Sequence, residues 1–274
     1  MSHILTLCQT GKSIVMGILN TTPDSFSDGG QFVAVDSALA QALKMHSEGA
    51  DIIDVGGEST RPGAKSVSTI DEINRVIPVI KAIRKQSDVL ISIDTSKPEV
   101  MSEAVKAGAN IINDVNALRA QGALDVCAQL AVPVCIMHMQ GEPRTMQNEP
   151  VYDDVITEIK EFFEQRIDAC IKAGIKRENI ILDPGFGFGK TLEHNLQLLK
   201  RLDEFQVLEL PVLVGLSRKS MLGKIINDSA PDNRLYASIA AAVLAGVNGA
   251  SIFRVHDVKA TVDALKVCDA LNGM

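Results

Sequence analysis

The stretch Asn179-Ile-Ile-Leu-Asp-Pro-Gly185 decides how the chain is read. Consecutive apolar residues leave neither face of a strand polar, so both faces need cover, as in a parallel sheet flanked by helices. The run then ends in a carboxylate and a turn. Seven further runs share this form: Ile14–Leu19, Asp51–Gly57, Leu90–Thr95, Asn110–Val115, Pro133–His138, Pro211–Ser217 and Gly249–His256. Successive runs start 20 to 46 residues apart, which leaves room for a crossover each time. Helical patterns lie between them. Val35, Ala38, Leu39, Ala42 and Leu43 keep a 3.6-residue period, as do Val155, Ile159, Phe162, Phe163, Ile167 and Ile171. Thr69 with Glu72 and Ser96 with Glu99 read as capping boxes, Thr191 as a cap, and Pro98 falls in a first turn, where proline is tolerated. Pro78 is expected to kink its helix. Eight such units in 274 residues predict an α/β fold: a single-domain (β/α)8 TIM barrel over residues 1–274, with a short N-terminal strand or hairpin before Ile14. A doubly wound open sheet is the alternative. No stretch rich in Gly, Pro or Ser divides the chain.

Composition narrows the function. Apolar residues make up 46%, charged residues 22% and aromatics 4%, which is globular and argues against disorder. The 27 Lys and Arg against 34 Asp and Glu give a net charge of −7 with no basic block, so nucleic acid is not an expected partner. No apolar stretch approaches the roughly 20 residues needed to span a bilayer, so no membrane is expected either. The first residues, MSHILTLCQTGKS, lack the basic and apolar regions of a secretory signal. The five Cys are odd in number and form no CxxC, which suits reduced thiols in the cytoplasm.

A parallel barrel builds its site at the C-terminal ends of its strands. The eight runs end in Asn20, Glu58-Ser59-Thr60-Arg61, Asp94, Asn113-Asp114, His138, Asp183, Ser217-Arg218-Lys219 and Arg254-Val255-His256. Asp94, Asn113, Asp183 and Lys219 form one chemical group. Carboxylates and an amide match the donors and acceptors of a flat nitrogen heterocycle such as guanine or pterin. Asn20, Thr60, Arg61, Arg254 and His256, with the loop from Thr21 to Gly30, form another, suited to phosphate oxygens. Met137-His138-Met139 can line an apolar pocket or fill a core. Gly185-Phe-Gly-Phe-Gly-Lys-Thr191 looks like a phosphate-binding P-loop, but Pro184 stands where its first Gly belongs. It reads instead as a loop whose Phe186 or Phe188 stacks on a ligand or packs at the barrel mouth. His3, His46 and His194 read as structural or surface residues.

Several of these stretches resemble the dihydropteroate synthase family. Met16-Gly-Ile-Leu-Asn-Thr-Thr-Pro-Asp-Ser-Phe-Ser-Asp-Gly29 resembles its first signature, and Asp54-Val-Gly-Gly-Glu-Ser-Thr-Arg-Pro-Gly63 its second. Ser92-Ile-Asp-Thr-Ser96, Ile112-Asn-Asp114, Leu182 to Lys190, Gly215-Leu-Ser-Arg-Lys-Ser220 and Arg254-Val-His256 follow in family order. The resemblance implies a transferase of folate biosynthesis. It would join 6-hydroxymethyl-7,8-dihydropterin diphosphate to 4-aminobenzoate, giving 7,8-dihydropteroate and diphosphate through a dihydropterin-cation-like transition state. It implies that Asp94, Asn113, Met137, Asp183, Lys219 and Arg254 bind the pterin. Asn20, Thr60, Arg61, Arg254 and His256 would hold the diphosphate, with Asn20 also placing Mg²⁺. Phe26, Thr60, Pro62, Phe188, Lys219 and Ser220 would surround 4-aminobenzoate. Asp94, Asp183, Lys219, Arg254 and His256 would carry catalysis. The resemblance further implies a homodimer and inhibition by sulfonamides, which mimic 4-aminobenzoate. The loops at 21–30 and 59–68 are expected to close over both substrates. Three other readings stay open: a pterin-dependent methyltransferase, a non-catalytic pterin-binding protein, and a barrel aldolase using Lys219 as a Schiff base.

Overall fold

In the computed structural model of the chain, residues 8, 10–21, 30–59, 66–141 and 150–272 are described. Eight parallel strands alternate with helices: β1 (Ile14–Asn20), α1 (Gly30–Ser47), β2 (Ile52–Gly56), α2 (Thr69–Gln86), β3 (Leu90–Asp94), α3 (Pro98–Ala107), β4 (Ile111–Asp114), α4 (Ala123–Leu130), β5 (Val134–Met137), α5 (Val155–Lys172), β6 (Ile180–Asp183), α6 (Leu192–Lys200), β7 (Leu213–Val214), α7 (Ser220–Ile226), α8 (Leu235–Val247), β8 (Ile252–Val255) and α9 (Val258–Asn272). The strands hydrogen-bond in the order β6-β5-β4-β3-β2-β1-β8-β7. A parallel bridge between Leu182 and Val212 brings β6 to the chain just before β7 and closes the ring. The expected barrel is present and the open sheet is not. The expected N-terminal strand or hairpin falls mostly on residues 1–7 and 9, outside the described residues.

Strand alternation explains how the barrel is filled. Successive side chains point to opposite faces, so residues of one parity line the interior and those of the other meet the helices. The helix-facing parity is apolar except for Asp114 at the end of β4: Val15, Ile53, Val55, Ile91, Ile93, Ile112, Val134, Ile136, Ile180, Leu182, Phe253 and Val255 all belong to the large core shared with the helices. The interior parity changes character along its length. Its lower layer is Ile14, Met16, Ile52, Ile111, Cys135, Ile181, Leu213 and Ile252, with Leu90 packed against it. Two residues further along the same strands the side chains are Asp54, Ser92, Asn113, Met137, Asp183 and Arg254. An apolar floor thus carries a polar layer facing the C-terminal mouth.

The helices bury the faces their periodicity sets. α1 buries Ala38, Ala42 and Met45, and α5 buries Val155, Ile156, Ile159, Phe163, Ile167 and Cys170. Cys170 completes that stripe, and Ile171, expected in it, is 44% exposed. Two caps differ from the sequence reading. Helix α2 is capped by Ser68, which accepts Asp71 N–H, one residue earlier than Thr69, and Glu72 is buried against Lys97. At α3 the N-cap is Lys97 with no side-chain cap bond, and Ser96 Oγ donates to Asp114 Oδ1. A carboxylate buried at the end of β4 needs donors more than a half-buried helix end does. Thr191 caps α6 as expected, in a reciprocal box with His194.

After β6 the chain must turn sharply back over the mouth, and Gly185 makes that turn at φ +71°. A Cβ there would lie 1.9 Å from the His138 carbonyl oxygen. Gly185→Ala is therefore expected to cost about 2–4 kcal/mol, combining left-handed backbone strain with displacement of a packed neighbour. Urea unfolding of the variant checks this.

Candidate active site

The polar layer is held together by one guanidinium. Arg254 on β8 donates from Nε to Asp54 Oδ2 at 2.6 Å and from Nη2 to Asp94 Oδ2 at 2.7 Å. Asn113 Nδ2 donates to the same Asp54 oxygen at 3.2 Å. Register brings these groups together: Asp54 pairs with Ser92, and Asp94 with Asn113. Burial pushes the Asp94 carboxyl up to about 7. Arg254 opposes that shift, and Asp54, Glu72 and Asp114 add to it. Burial works against the charge on Arg254, but Asp54 and Asp94 outweigh it and hold the guanidinium above its ordinary range.

Across the mouth, Asp183 Oδ1 accepts Gly185 N–H at 2.8 Å. Burial raises this carboxyl, while the Gly185 N–H, Lys219, Arg254 and Lys190 pull it back. Lys219 enters from the loop after β7. The preceding residue, Arg218, has φ +58° and is gripped by Asp257 at 3.0 and 2.7 Å, which turns the chain so that Lys219 faces inward. Burial pushes the Lys219 ammonium down to about 8; Asp183 and Asp94 counter this and Arg254 reinforces it. Its Nζ lies 4.2 Å from the centre of the Phe188 ring, a cation–π contact. Phe188 also packs on Met137 and Met139. At the rim, Ser217 Oγ lies 3.0 Å from His256 Nδ1 and accepts the His256 backbone N–H.

Of the residues expected at the site, the structure gathers Asp94, Asn113, Asp183, Lys219 and Arg254 into one charged network, with Met137 and Phe188 as its apolar wall. His256 is fastened to Ser217, Asn20 is exposed at the end of β1, and Ser220 is exposed as the first residue of α7. Phe26, Thr60, Arg61 and Pro62, and most of the two loops expected to close, lie outside the described residues. Among the described residues no group of three or more His, Cys, Asp or Glu is arranged to hold a metal.

Residue reading alone passed over Asp54, Lys190 and the ties of His138. Asp54 is fully buried, and the signal was present: a carboxylate inside an apolar run, two residues after Ile52, must face the barrel interior. Lys190 closes the loop that resembled a P-loop. Its buried Nζ sits 3.0 Å from His138 Nδ1 and donates to the carbonyls of Gly185 and Phe188 at 3.0 Å each. Burial, then Lys190 and Arg119, push His138 down to about 2, so at neutral pH its ring is uncharged and accepts.

A closed (β/α)8 barrel that gathers this charged layer beside Phe188 at its C-terminal mouth is an enzyme scaffold. Residues 16–256 match the family model described as pterin binding enzyme. The dihydropteroate synthase of Escherichia coli strain K12 is 56% identical, covering 93% of this chain and 90% of that protein. Among solved structures, the Yersinia pestis dihydropteroate synthase with a sulfonamide drug complex superposes with a TM-score of 0.91 at 52% identity, covering 96% of this chain and 95% of that one. The Xanthomonas albilineans dihydropteroate synthase with 4-aminobenzoic acid gives 0.90 at 50% identity, covering 96% and 94%. The chain belongs to the pterin-binding enzyme family and, within it, to the dihydropteroate synthases.

Burial is also the main influence on Lys190, lowering it to about 7 against Asp183 and together with Lys219. The unfolded chain keeps that proton to about 10.4, so stability attributable to Lys190 rises as pH climbs from about 7 toward 10. Over pH 7.5–9, Lys190→Met is expected to lose roughly 1 kcal/mol per pH unit of that rise. Urea unfolding of both proteins at several pH values checks this.

Proposed function

We infer that the chain condenses 6-hydroxymethyl-7,8-dihydropterin diphosphate with 4-aminobenzoate, releasing 7,8-dihydropteroate and diphosphate. The observation that carries this is the Asp54–Arg254–Asp94 cluster, with Asn113, Asp183 and Lys219, at the mouth of a barrel in this family. In this reading Asp94 and Asp183 accept N–H groups of the dihydropterin, Asn113 and Lys219 supply donors, and Met137 packs on the ring. Such a site rejects ligands lacking those groups, because its own buried atoms would be left unpaired.

The methylene C–O bond breaks with its electron pair leaving on the diphosphate. The remaining dihydropterin cation is stabilised by the Asp94 and Asp183 carboxylates. Arg254 and His256, joined by Asn20, Thr60 and Arg61, hold the departing anion. The arylamine nitrogen then forms the C–N bond with its lone pair and gives its proton to solvent. An arylamine is already unprotonated at neutral pH, so the protein's contribution is placement, worth up to roughly 7–11 kcal/mol. Phe188, Lys219 and Ser220, with Phe26, Thr60 and Pro62, would receive 4-aminobenzoate and the sulfonamides that resemble it.

Mg²⁺ fits this arrangement as an ion brought in by the diphosphate. The exposed Asn20 amide offers it a hard oxygen at the described rim, and Mg²⁺ commonly binds through one or two protein oxygens plus phosphates. Bound there, it would neutralise charge on the leaving group. The protein is further read as a cytoplasmic homodimer. Five cysteines outside any disulfide suit a reducing compartment, and no described helix is long and apolar enough to cross a membrane. Leu244 and Val247 of α8 and Val267 and Leu271 of α9 expose 54–68% of their surface around an apolar groove, a face suited to a second copy.

Three experiments test this reading. Diphosphate release should require protein, Mg²⁺ and both substrates, and should match dihydropteroate formed. Asp94→Asn should weaken pterin binding about 10–100-fold with the fold intact, the range for losing a hydrogen bond to a charged group. Tight pterin binding without release would favour the methyltransferase or the silent binder. By light scattering, the protein should run as a dimer and Val267→Lys as a monomer.

A further inference from the structure

Asp54 stands apart from the other acidic residues at the mouth. It lies a full step deeper than Asp94 on the neighbouring strand and is completely buried. Two donors converge on one of its oxygens: Nε of Arg254 and Nδ2 of Asn113. Its other oxygen, Oδ1, is buried with no hydrogen-bond partner in the described structure, and neither has Oγ of Ser92, its register partner on β3. A carboxylate kept only for stability would be expected to satisfy both oxygens, because an unpaired buried acceptor is destabilising. The arrangement instead serves the residues it touches. Arg254 divides one edge of its guanidinium, Nε to Asp54 and Nη2 to Asp94, and neither contact uses Nη1.

We propose that Asp54 is a positioning residue for the transferase reaction, anchoring Arg254 and Asn113 from below so that Arg254 stays in place when Asp94 turns from the guanidinium to the substrate. The proposal rests on the function inferred above. Asp94 holds Arg254 by one contact, through Oδ2, and a substrate donor that draws the carboxylate toward itself weakens that contact. Without a second anchor, Arg254 would be released from its place over the pterin and diphosphate in each cycle. Asp54 is too deep to be displaced by the ligand and keeps its hold through Nε. A lysine at position 254 could not be held this way, because it lacks the planar fork.

The same geometry gives a readout that a purely structural role would not move. Asp94 ionises near 7 within a field set by Arg254 on β8, Asp54 on β2, Asp114 on β4, Glu72 on α2 with its partner Lys97, Lys219 before α7, and the Cys135 thiol below. Ionised Asp94 is the form that accepts substrate N–H groups, so pterin affinity should rise with pH through that midpoint. Replacing Asp54 by Asn removes a negative neighbour and leaves Arg254 wholly to Asp94. Both changes favour ionised Asp94 and move the midpoint to lower pH.

The experiment compares wild type, Asp54→Asn, Ser92→Ala, Arg254→Lys and the Asp54→Asn/Arg254→Lys double variant. Binding of 6-hydroxymethyl-7,8-dihydropterin is measured calorimetrically from pH 5.5 to 8.5, and turnover is followed by diphosphate release. Asp54→Asn is expected to lower kcat at least tenfold, to change KM for 4-aminobenzoate less than threefold, and to move the binding midpoint down by a pH unit. In the Arg254→Lys background, adding Asp54→Asn should change kcat less than threefold. Ser92→Ala should match wild type. Asp54→Asn with wild-type kcat and midpoint, or a full tenfold effect persisting in the Arg254→Lys background, overturns the proposal. Should Asp54→Asn fail to fold, Asp54→Glu keeps the charge while moving it. Lower kcat with an unchanged midpoint supports positioning, and wild-type kcat overturns it. A wild-type protein that binds pterin but releases no diphosphate overturns the inferred reaction instead.

Discussion

Closing eight short strands into a ring leaves an interior wide enough for side chains and little else, and the rest of the structure follows from how that space is filled. Alternation allows each strand only one set of inward-facing positions. In this chain those positions are apolar in the lower layer, from Ile14 and Ile52 to Ile252, and polar one layer higher, from Asp54 and Asn113 to Arg254. The apolar layer makes the barrel a packed core. The polar layer can be tolerated because most of its charged groups pair with one another and because it lies next to the mouth.

That layer concentrates charge in a small volume. Two carboxylates, Asp54 and Asp94, share one guanidinium, and a third, Asp183, faces Lys219 and Lys190. Breaking such a pair by removing one partner typically costs about 3–5 kcal/mol, because the other charge is left uncompensated. The network is therefore assembled before substrate arrives, which suits a reaction whose acceleration comes from placed charge. It also leaves Asp94 and Lys219 near neutrality, at about 7 and about 8, so their protonation responds to whatever binds beside them. Around this centre the structure spends further side chains on fixing loops: Lys190 ties down the turn after β6, Asp257 holds Arg218 so that Lys219 faces inward, and Ser217 holds His256.

Much of this was legible in the chain itself. The eight apolar runs gave the strands, their spacing gave the crossovers, and the polar residues at their ends gave Asp94, Asn113, Asp183, Lys219 and Arg254 as neighbours on one rim. The errors were local. Thr69 and Ser96 looked like caps because a hydroxyl with a Glu three residues on is the usual signature. The structure instead used Ser68 for one and directed Ser96 to the buried Asp114 carboxylate. Ile171 fitted the helical period as well as Cys170, and only packing against the barrel chose between them.

Sequence by itself determined the architecture and the kinds of groups at the mouth, because strand parity, crossover length and strand ends are properties of residues close together in the chain. Tertiary structure alone decided which groups meet. Arg254 lies 200 residues from Asp54 and 160 from Asp94, and Lys190 lies 52 from His138. Whether a guanidinium is held by one carboxylate or divided between two depends on barrel closure and register to within an ångström, and no local pattern encodes that.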